Sequence, residues 1–352
     1  MKQLSDFDKR MGLHPVDSTG ITWVDAASPQ IELTGFAWFA KERLYRRMPI
    51  APAEPLPEAV DYLANNTSGG KLRFASNSSR IQIRVKRAPF EMIDTIPYTS
   101  QAGFDLYLGA PGKERFLQVT RTNPENEEFI CRLFSGKTEA QCFTVYFPLY
   151  HAVHSVEIGM DESAELLSPP PLKYPDRFVA VYGTSITQGG CASRPGMSYT
   201  NILSRRLSRH FYNFGFSGSG KGEPVVARTL ASLRPVSMFL LDYEANAGAS
   251  LLDTLPEFIR ILRNRHSTIP ILVLSRFHYS GSKTDPEFVG KQRRIVESFN
   301  DPNLFFHDGS EILGDDFEEC LVDGVHATDM AFYRMANVLE SAIQNILIRQ
   351  PF

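Results

Sequence analysis

Apolar and polar residues alternate through much of the first half of the chain. Ile81, Ile83 and Val85 alternate with Gln82, Arg84 and Lys86, and Phe104, Leu106 and Leu108 alternate around Asp105 and Tyr107. Phe143, Val145 and Phe147 repeat the period, and Val156 and Ile158 follow it. A period of two turns one face of a strand to a core and the other to water. Turn clusters separate these runs, among them Asn65-Asn66-Thr67-Ser68-Gly69-Gly70 and Gly109-Ala110-Pro111-Gly112. Short strands with frequent turns predict an all-β domain, an antiparallel sandwich of jelly-roll type, over residues 1–168.

Ser168-Pro169-Pro170-Pro171 then interrupts the pattern. Proline fixes φ and cannot donate to a ladder, so residues 169–175 are expected to form a stiff connector. Beyond it the period changes. Phe178 to Tyr182, Met238 to Leu241 and Ile271 to Leu274 are short apolar runs of buried-strand type, with Leu304-Phe305-Phe306 a shorter candidate. Tyr199, Ile202, Leu203, Leu207 and Phe211 fall at helical spacing, as do Met335, Val338, Leu339, Ala342, Ile343 and Ile346. Strands alternating with helices predict a parallel sheet with both faces covered over residues 176–352. Such sheets place their active sites beyond the C-terminal strand ends.

Composition narrows the classes without naming a function. With 352 residues, 43% hydrophobic and 22% charged, the chain has room for two ordinary globular domains. A net charge of −3 gives no global field toward nucleic acid or an anionic membrane. Cys131, Cys142, Cys191 and Cys320 form no C-x-x-C pair and are expected to be reduced thiols. Met1 to Asp8 lack the apolar core of a secretory signal, and no window approaches 18 consecutive apolar residues. A cytoplasmic location is the expectation, unless a leader was removed before Met1. His151 and His154, three apart, have no third donor nearby and read as edge or interface histidines.

Four segments follow the expected strand ends or close the chain. Gly183-Thr184-Ser185-Ile186-Thr187-Gln188-Gly189 offers a serine where a strand turns toward a helix, either a nucleophile or a turn residue. Gly215 through Lys221 fits G-x-x-x-x-G-K, but position 222 is Gly, where a phosphate-binding loop needs Ser or Thr for Mg²⁺. The competing use of its bare N–H groups is an oxyanion hole. Asp242-Tyr243-Glu244-Ala245-Asn246 could add a side-chain amide. Asp323-Gly324-Val325-His326 could orient an imidazole, or merely precede a helix capped by Thr328 or Asp329. Jointly they supply a nucleophile, a base, an orienter and oxyanion donors.

These blocks resemble the SGNH hydrolase superfamily, also called GDSL esterases, over roughly residues 176–348. Gly183-Thr184-Ser185 matches its Ser block, Ser217-Gly218 its Gly block, Asn246 its Asn block and Asp323 to His326 its D-x-x-H block. Asn213 to Pro224, Ala192 to Tyr199, Tyr45 to Pro49 and Phe147 to Tyr150 resemble a bacterial subgroup with an N-terminal β-sandwich. The resemblance implies a flavodoxin-like three-layer α/β hydrolase domain behind that sandwich. It implies a Ser185-His326-Asp323 triad and an oxyanion hole from Ser185, Gly218 and Asn246. Thr184, Tyr243 and Val325 would then touch substrate, with no metal and no cofactor. Several two-domain relatives act on acetylated carbohydrates, so an O-acyl, foremost O-acetyl, sugar ester is the expected substrate.

The same machinery serves lipases, thioesterases and acyltransferases. A non-catalytic carbohydrate-binding protein is the alternative of another class, with Tyr45, Tyr98, Tyr107 and Tyr150 as candidate stacking rings. No nucleic-acid or membrane partner is expected, and assembly with further copies of the chain is left open. There are two departures from the family pattern. Thr184 stands where the family often has Asp, and Ala245 where relatives usually have Pro before the Asn.

Overall fold

The computed structural model describes residues 4–8, 12–13 and 15–349. The first half holds strands β1 (Ile21–Asp25), β2 (Glu32–Thr34), β3 (Lys71–Ser76), β4 (Arg80–Arg87), β5 (Asp105–Leu108), β6 (Arg115–Val119), β7 (Glu128–Ser135), β8 (Gln141–Tyr146), β9 (Val153–Asp161) and β10 (Leu166–Leu167). They form two antiparallel sheets. One runs β1-β9-β4-β7, the other β10-β3-β8-β5-β6 with β2 against β3. The alternating residues meet between the sheets. Ile81, Ile83, Val85, Val156 and Ile158 of the first pack on Leu72, Phe74, Leu106, Phe143 and Val145 of the second. This is the expected sandwich.

The outer face of the second sheet departs from the expectation of water. Lys71, Arg73, Asp105, Tyr107, Thr144 and Tyr146 are all buried. The C-terminal half covers them. Lys71 Nζ reaches Ser204 Oγ at 2.8 Å, and Arg205 lies over the rings of Tyr107 and Tyr146. A strand with polar alternate residues reads the same whether water or a polar partner lies outside it.

Between β10 and the next strand, the proline segment is tied down. Arg73 donates to the carbonyl of Pro170 at 2.6 Å, and Leu172 is buried. The second half then builds β11 (Tyr174–Gly183), β12 (Arg209–Gly215), β13 (Val236–Asp242), β14 (Ile271–Leu274) and β15 (Leu304–His307). They form a parallel sheet in the order β12-β11-β13-β14-β15. Numbered within this half, that is the 2-1-3-4-5 order of flavodoxin-like sheets.

The apolar runs serve two layers at once. Val179, Val181, Met238, Leu240 and Leu272 face the helices Tyr199–Arg206 and Asp329–Ile348. Ala180, Tyr182, Phe239, Leu241 and Val273 face Pro224–Ala231 and Leu251–Arg263. The result is a three-layer α/β sandwich.

One element differs from the pattern. Helical spacing predicts a helix reaching Phe211, but the helix stops at Arg206. Ser208 takes a left-handed conformation (φ 49°), and Phe211 enters β12, paired with Val179. Among the described residues no helix is long and apolar enough to cross a membrane, and the four cysteines are free thiols.

The sheet order reverses at β11, which lies between β12 and β13. Gly183, Gly215 and Asp242 end these three strands side by side.

Candidate active site

Ser185 sits just past the end of β11. Thr184 is extended, and its Oγ1 accepts the N–H of Ile186 at 3.2 Å. That caps a single helical turn, Ser185–Gln188. Gly183 is dictated by packing: a Cβ there would lie 2.0 Å from Thr187 Oγ1 and 2.4 Å from the carbonyl oxygen of Asp242. Ser185 is largely buried at this junction.

Asp323 and His326 come from the far end of the chain. Asp323 Oδ1 accepts the N–H groups of Val325 at 3.1 Å and of His326 at 2.8 Å, which closes an Asx-type turn. Asp323 Oδ2 lies 2.7 Å from His326 Nδ1. The other ring nitrogen, Nε2, lies 3.0 Å from Ser185 Oγ. With the Nδ1 proton directed at the carboxylate, Nε2 is free to accept from the serine. Partial burial opposes ionisation of Asp323. The bonds from His326 and Val325 outweigh it and hold the carboxyl at about 2.

Neither Thr328 nor Asp329 caps the following helix with its side chain. Thr328 donates to the carbonyl of Cys320 at 2.8 Å. Asp329 accepts the N–H and hydroxyl of Ser193 at 2.7 and 2.5 Å, so it holds the loop that follows the Ser185 turn.

The glycine segment docks on the same turn. Phe216 N–H donates to the Gly183 carbonyl at 3.0 Å, and Ser217 N–H to Gln188 Oε1 at 3.0 Å. Gly218 then has φ +66° with open space where a Cβ would stand. Asn246 Nδ2 donates to the Phe216 carbonyl at 3.2 Å, so its amide reaches this segment. Ala245 stands in place of the family's usual proline before Asn246, and Glu244 precedes it. This buried carboxylate accepts Arg276 N–H at 2.7 Å and Gln292 Nε2 at 2.9 Å, which fixes the turn.

The family comparisons divide the chain as its two halves do. The model of the GDSL-like lipase/acylhydrolase family matches residues 176–344. A second, the N-terminus of SGNH-hydrolase-type esterases, matches residues 21–166. A GDSL-like lipase family protein from Bacteroides ovatus is 31% identical over 93% of this chain and 98% of its own, with a TM-score of 0.84. The chain belongs to the GDSL-like lipase/acylhydrolase family. It is an SGNH-type ester hydrolase with a β-sandwich before its catalytic half.

Two more distant structures share the fold of this GDSL-family chain. One is the salicylyl-acyltransferase SsfX3 of a tetracycline biosynthetic pathway, 15% identical over 95% of this chain and all of its own, with a TM-score of 0.74. The other is an acetyl xylan esterase from the rumen bacterium Butyrivibrio proteoclasticus, 14% identical over 93% and 99%, with a TM-score of 0.60. No curated protein matches the sequence.

The remaining candidates of the GDSL-family chain separate. Val325 is exposed beside His326. Thr184 and Tyr243 are each 1% exposed, so neither side chain offers a surface to substrate. Thr184 caps the Ser185 turn, while the Tyr243 ring packs near Tyr182 and Phe258 and its hydroxyl faces Thr254. Tyr45, Tyr107 and Tyr150 are also buried and unavailable for stacking on a glycan. His151 bonds the Ala88 carbonyl through Nε2. Burial pushes the Cys191 thiol up to about 11, which disfavours the thiolate a nucleophile needs.

Sequence reasoning missed the residues that join the halves. Asp105 and Tyr107 belong to Gly103-Phe104-Asp105-Leu106-Tyr107, which spells the G-x-D-L-Y of the second family model's name. Asp105 Oδ2 accepts Gly196 N–H at 2.9 Å and Arg194 at 3.1 Å. An acidic residue alternating within a strand was the available signal, and it reads as solvent-facing until the partner surface is known.

Proposed function

We propose that this enzyme is a serine esterase that removes O-acyl groups, foremost O-acetyl, from carbohydrates. One observation carries the reading: a single imidazole ring lies 2.7 Å from Asp323 through Nδ1 and 3.0 Å from Ser185 Oγ through Nε2. Ser185 attacks the ester carbonyl carbon while His326 takes its proton. The tetrahedral oxyanion is held by the N–H groups of Ser185 and Gly218 and by the Asn246 amide. Collapse expels the alcohol, which receives the proton from His326. Water, activated by the same ring, then releases the acid from the acyl-enzyme. Asp323 keeps the ring in its tautomer and stabilises the imidazolium.

The sugar assignment draws support from the fold shared with an acetyl xylan esterase. The shared fold with a salicylyl-acyltransferase supports transfer to an alcohol as a second reading. The test is a mass-spectrometric screen of acetylated mono- and oligosaccharides, with p-nitrophenyl acetate as reference and alcohols added as competing acceptors. Acetate release from sugars with little transfer is expected. Hydrolysis of p-nitrophenyl acetate without any sugar deacetylation would sink the carbohydrate assignment. Dominant transfer would favour the acyltransferase, and glycan retention without any turnover a binding protein.

A further inference from the structure

Residues of the N-terminal sandwich reach into the catalytic centre rather than ending at a domain surface. The Tyr150 hydroxyl donates to the carbonyl oxygen of Ser185 at 3.2 Å, with the Ser217 side chain close enough to act on the phenol. One phenol from the sandwich half therefore holds the nucleophile's own peptide, beside the residue before Gly218. Gln188 makes a second bridge. Its Nε2 donates to the Leu149 carbonyl at 3.2 Å, and its Oε1 accepts the Ser217 N–H at 3.0 Å. Two further groups hold the frame. Ser68 Oγ donates to the Gln188 carbonyl at 2.7 Å. The fully buried Arg47 donates to the Gly215 carbonyl and lies over the Phe216 ring at 4.8 Å. Burial keeps the Tyr150 phenol protonated, so it remains a donor.

Oxyanion donors act only where they point at the developing charge, and a misplacement of about 1 Å can cost on the order of 100-fold. The Ser217 N–H is committed to Gln188 and the Ser185 carbonyl to Tyr150, so the peptide leading to Gly218 has its direction set against a held Ser185 turn. We propose that Tyr150 and Gln188 are positioning residues, through which the sandwich fixes the Gly218 segment against the Ser185 turn and so sets the oxyanion geometry. The sandwich is then a working part of the esterase site and not only an accessory domain.

The proposal rests on the serine-esterase reading, so Ser185→Ala is the first control: an active Ser185→Ala defeats that reading, however the Tyr150 and Gln188 variants behave. The test uses the full chain with Tyr150→Phe and Gln188→Met, p-nitrophenyl acetate as substrate and phenylboronic acid as a tetrahedral mimic. In each variant kcat is expected to fall about 10- to 100-fold, with KM within about twofold. The inhibition constant for phenylboronic acid should rise by a similar factor, which a purely structural role would not produce. Tyr150→Phe removes only a hydroxyl and decides the matter should Gln188→Met fail to fold. A Tyr150→Phe enzyme with kcat within twofold of wild type, or with a loss confined to KM, overturns the proposal.

Discussion

His326 Nε2 stands 3.0 Å from Ser185 Oγ across 141 residues of sequence. The contact exists because β11 and the start of the last helix end at the same edge of the parallel sheet. If it is the proton path, Ser185→Ala and His326→Gln should each lower kcat on p-nitrophenyl acetate by at least about 10³-fold. The double variant should be no worse than the poorer single, because the two act as a unit. Additive losses would mean that the residues work separately.

Asn246 and Gly218 are expected to behave differently from the proposed triad. Asn246→Ala should lower kcat by about 10²–10³ and leave KM little changed, since the oxyanion exists only near the transition state. Gly218→Ala meets no steric obstacle, because the Cβ position is open, but φ is +66°. It should fold with a loss of about 1–2 kcal/mol from left-handed strain. Steady-state kinetics and thermal melts separate these outcomes. An Asn246→Ala enzyme with unchanged kcat would remove Asn246 from the mechanism.

Much of this site is legible in the primary structure, for a physical reason. Ser185 and the Asp323–His326 pair each lie in a short local motif whose turn chemistry is largely self-contained, and Gly218 and Asn246 stand in short motifs of their own beside the ends of β12 and β13. The 2.0 Å approach to Gly183 and the two N–H groups on Asp323 Oδ1 arise within or beside those motifs. What could not be read is the contact between the halves. Asp105, Tyr107, Lys71 and Tyr150 are polar residues whose partners are fixed only by tertiary docking. Tyr243, a substrate contact by the resemblance alone, differs for the converse reason: its position just past a strand end turns the ring into the core.

In the proposed mechanism Asp323 links catalysis to acid stability. Its carboxyl is held at about 2 in the native protein, against roughly 3.9 in an unfolded chain. A lowered acid contributes stability above its unfolded value and loses it as pH falls through the native one. The melting temperature should therefore drop between about pH 4 and pH 2, and Asp323→Asn should make that drop shallower. The same variant should lower kcat at neutral pH, by up to about 10⁴-fold if the wrong tautomer of His326 results. A variant that melts in parallel with wild type across that window would show that Asp323 carries no such linkage.

Asp242 should show the opposite sign. It ends β13, buried, and its Oδ2 accepts Thr187 Oγ1 at 2.8 Å and Tyr199 hydroxyl at 2.9 Å. Burial pushes its carboxyl up to about 7 in spite of these two bonds. Between about pH 4 and pH 7 the native state therefore holds a proton that the unfolded chain has released. Stability falls as pH rises through that window and levels off above it, by an amount on the order of a few kcal/mol at most. Asparagine can accept both hydrogen bonds through Oδ1 and cannot ionise. Asp242→Asn should then gain melting temperature relative to wild type on going from pH 5 to pH 8. A difference between the two proteins that stays constant with pH would contradict the burial argument, because only an ionising carboxylate can make it vary.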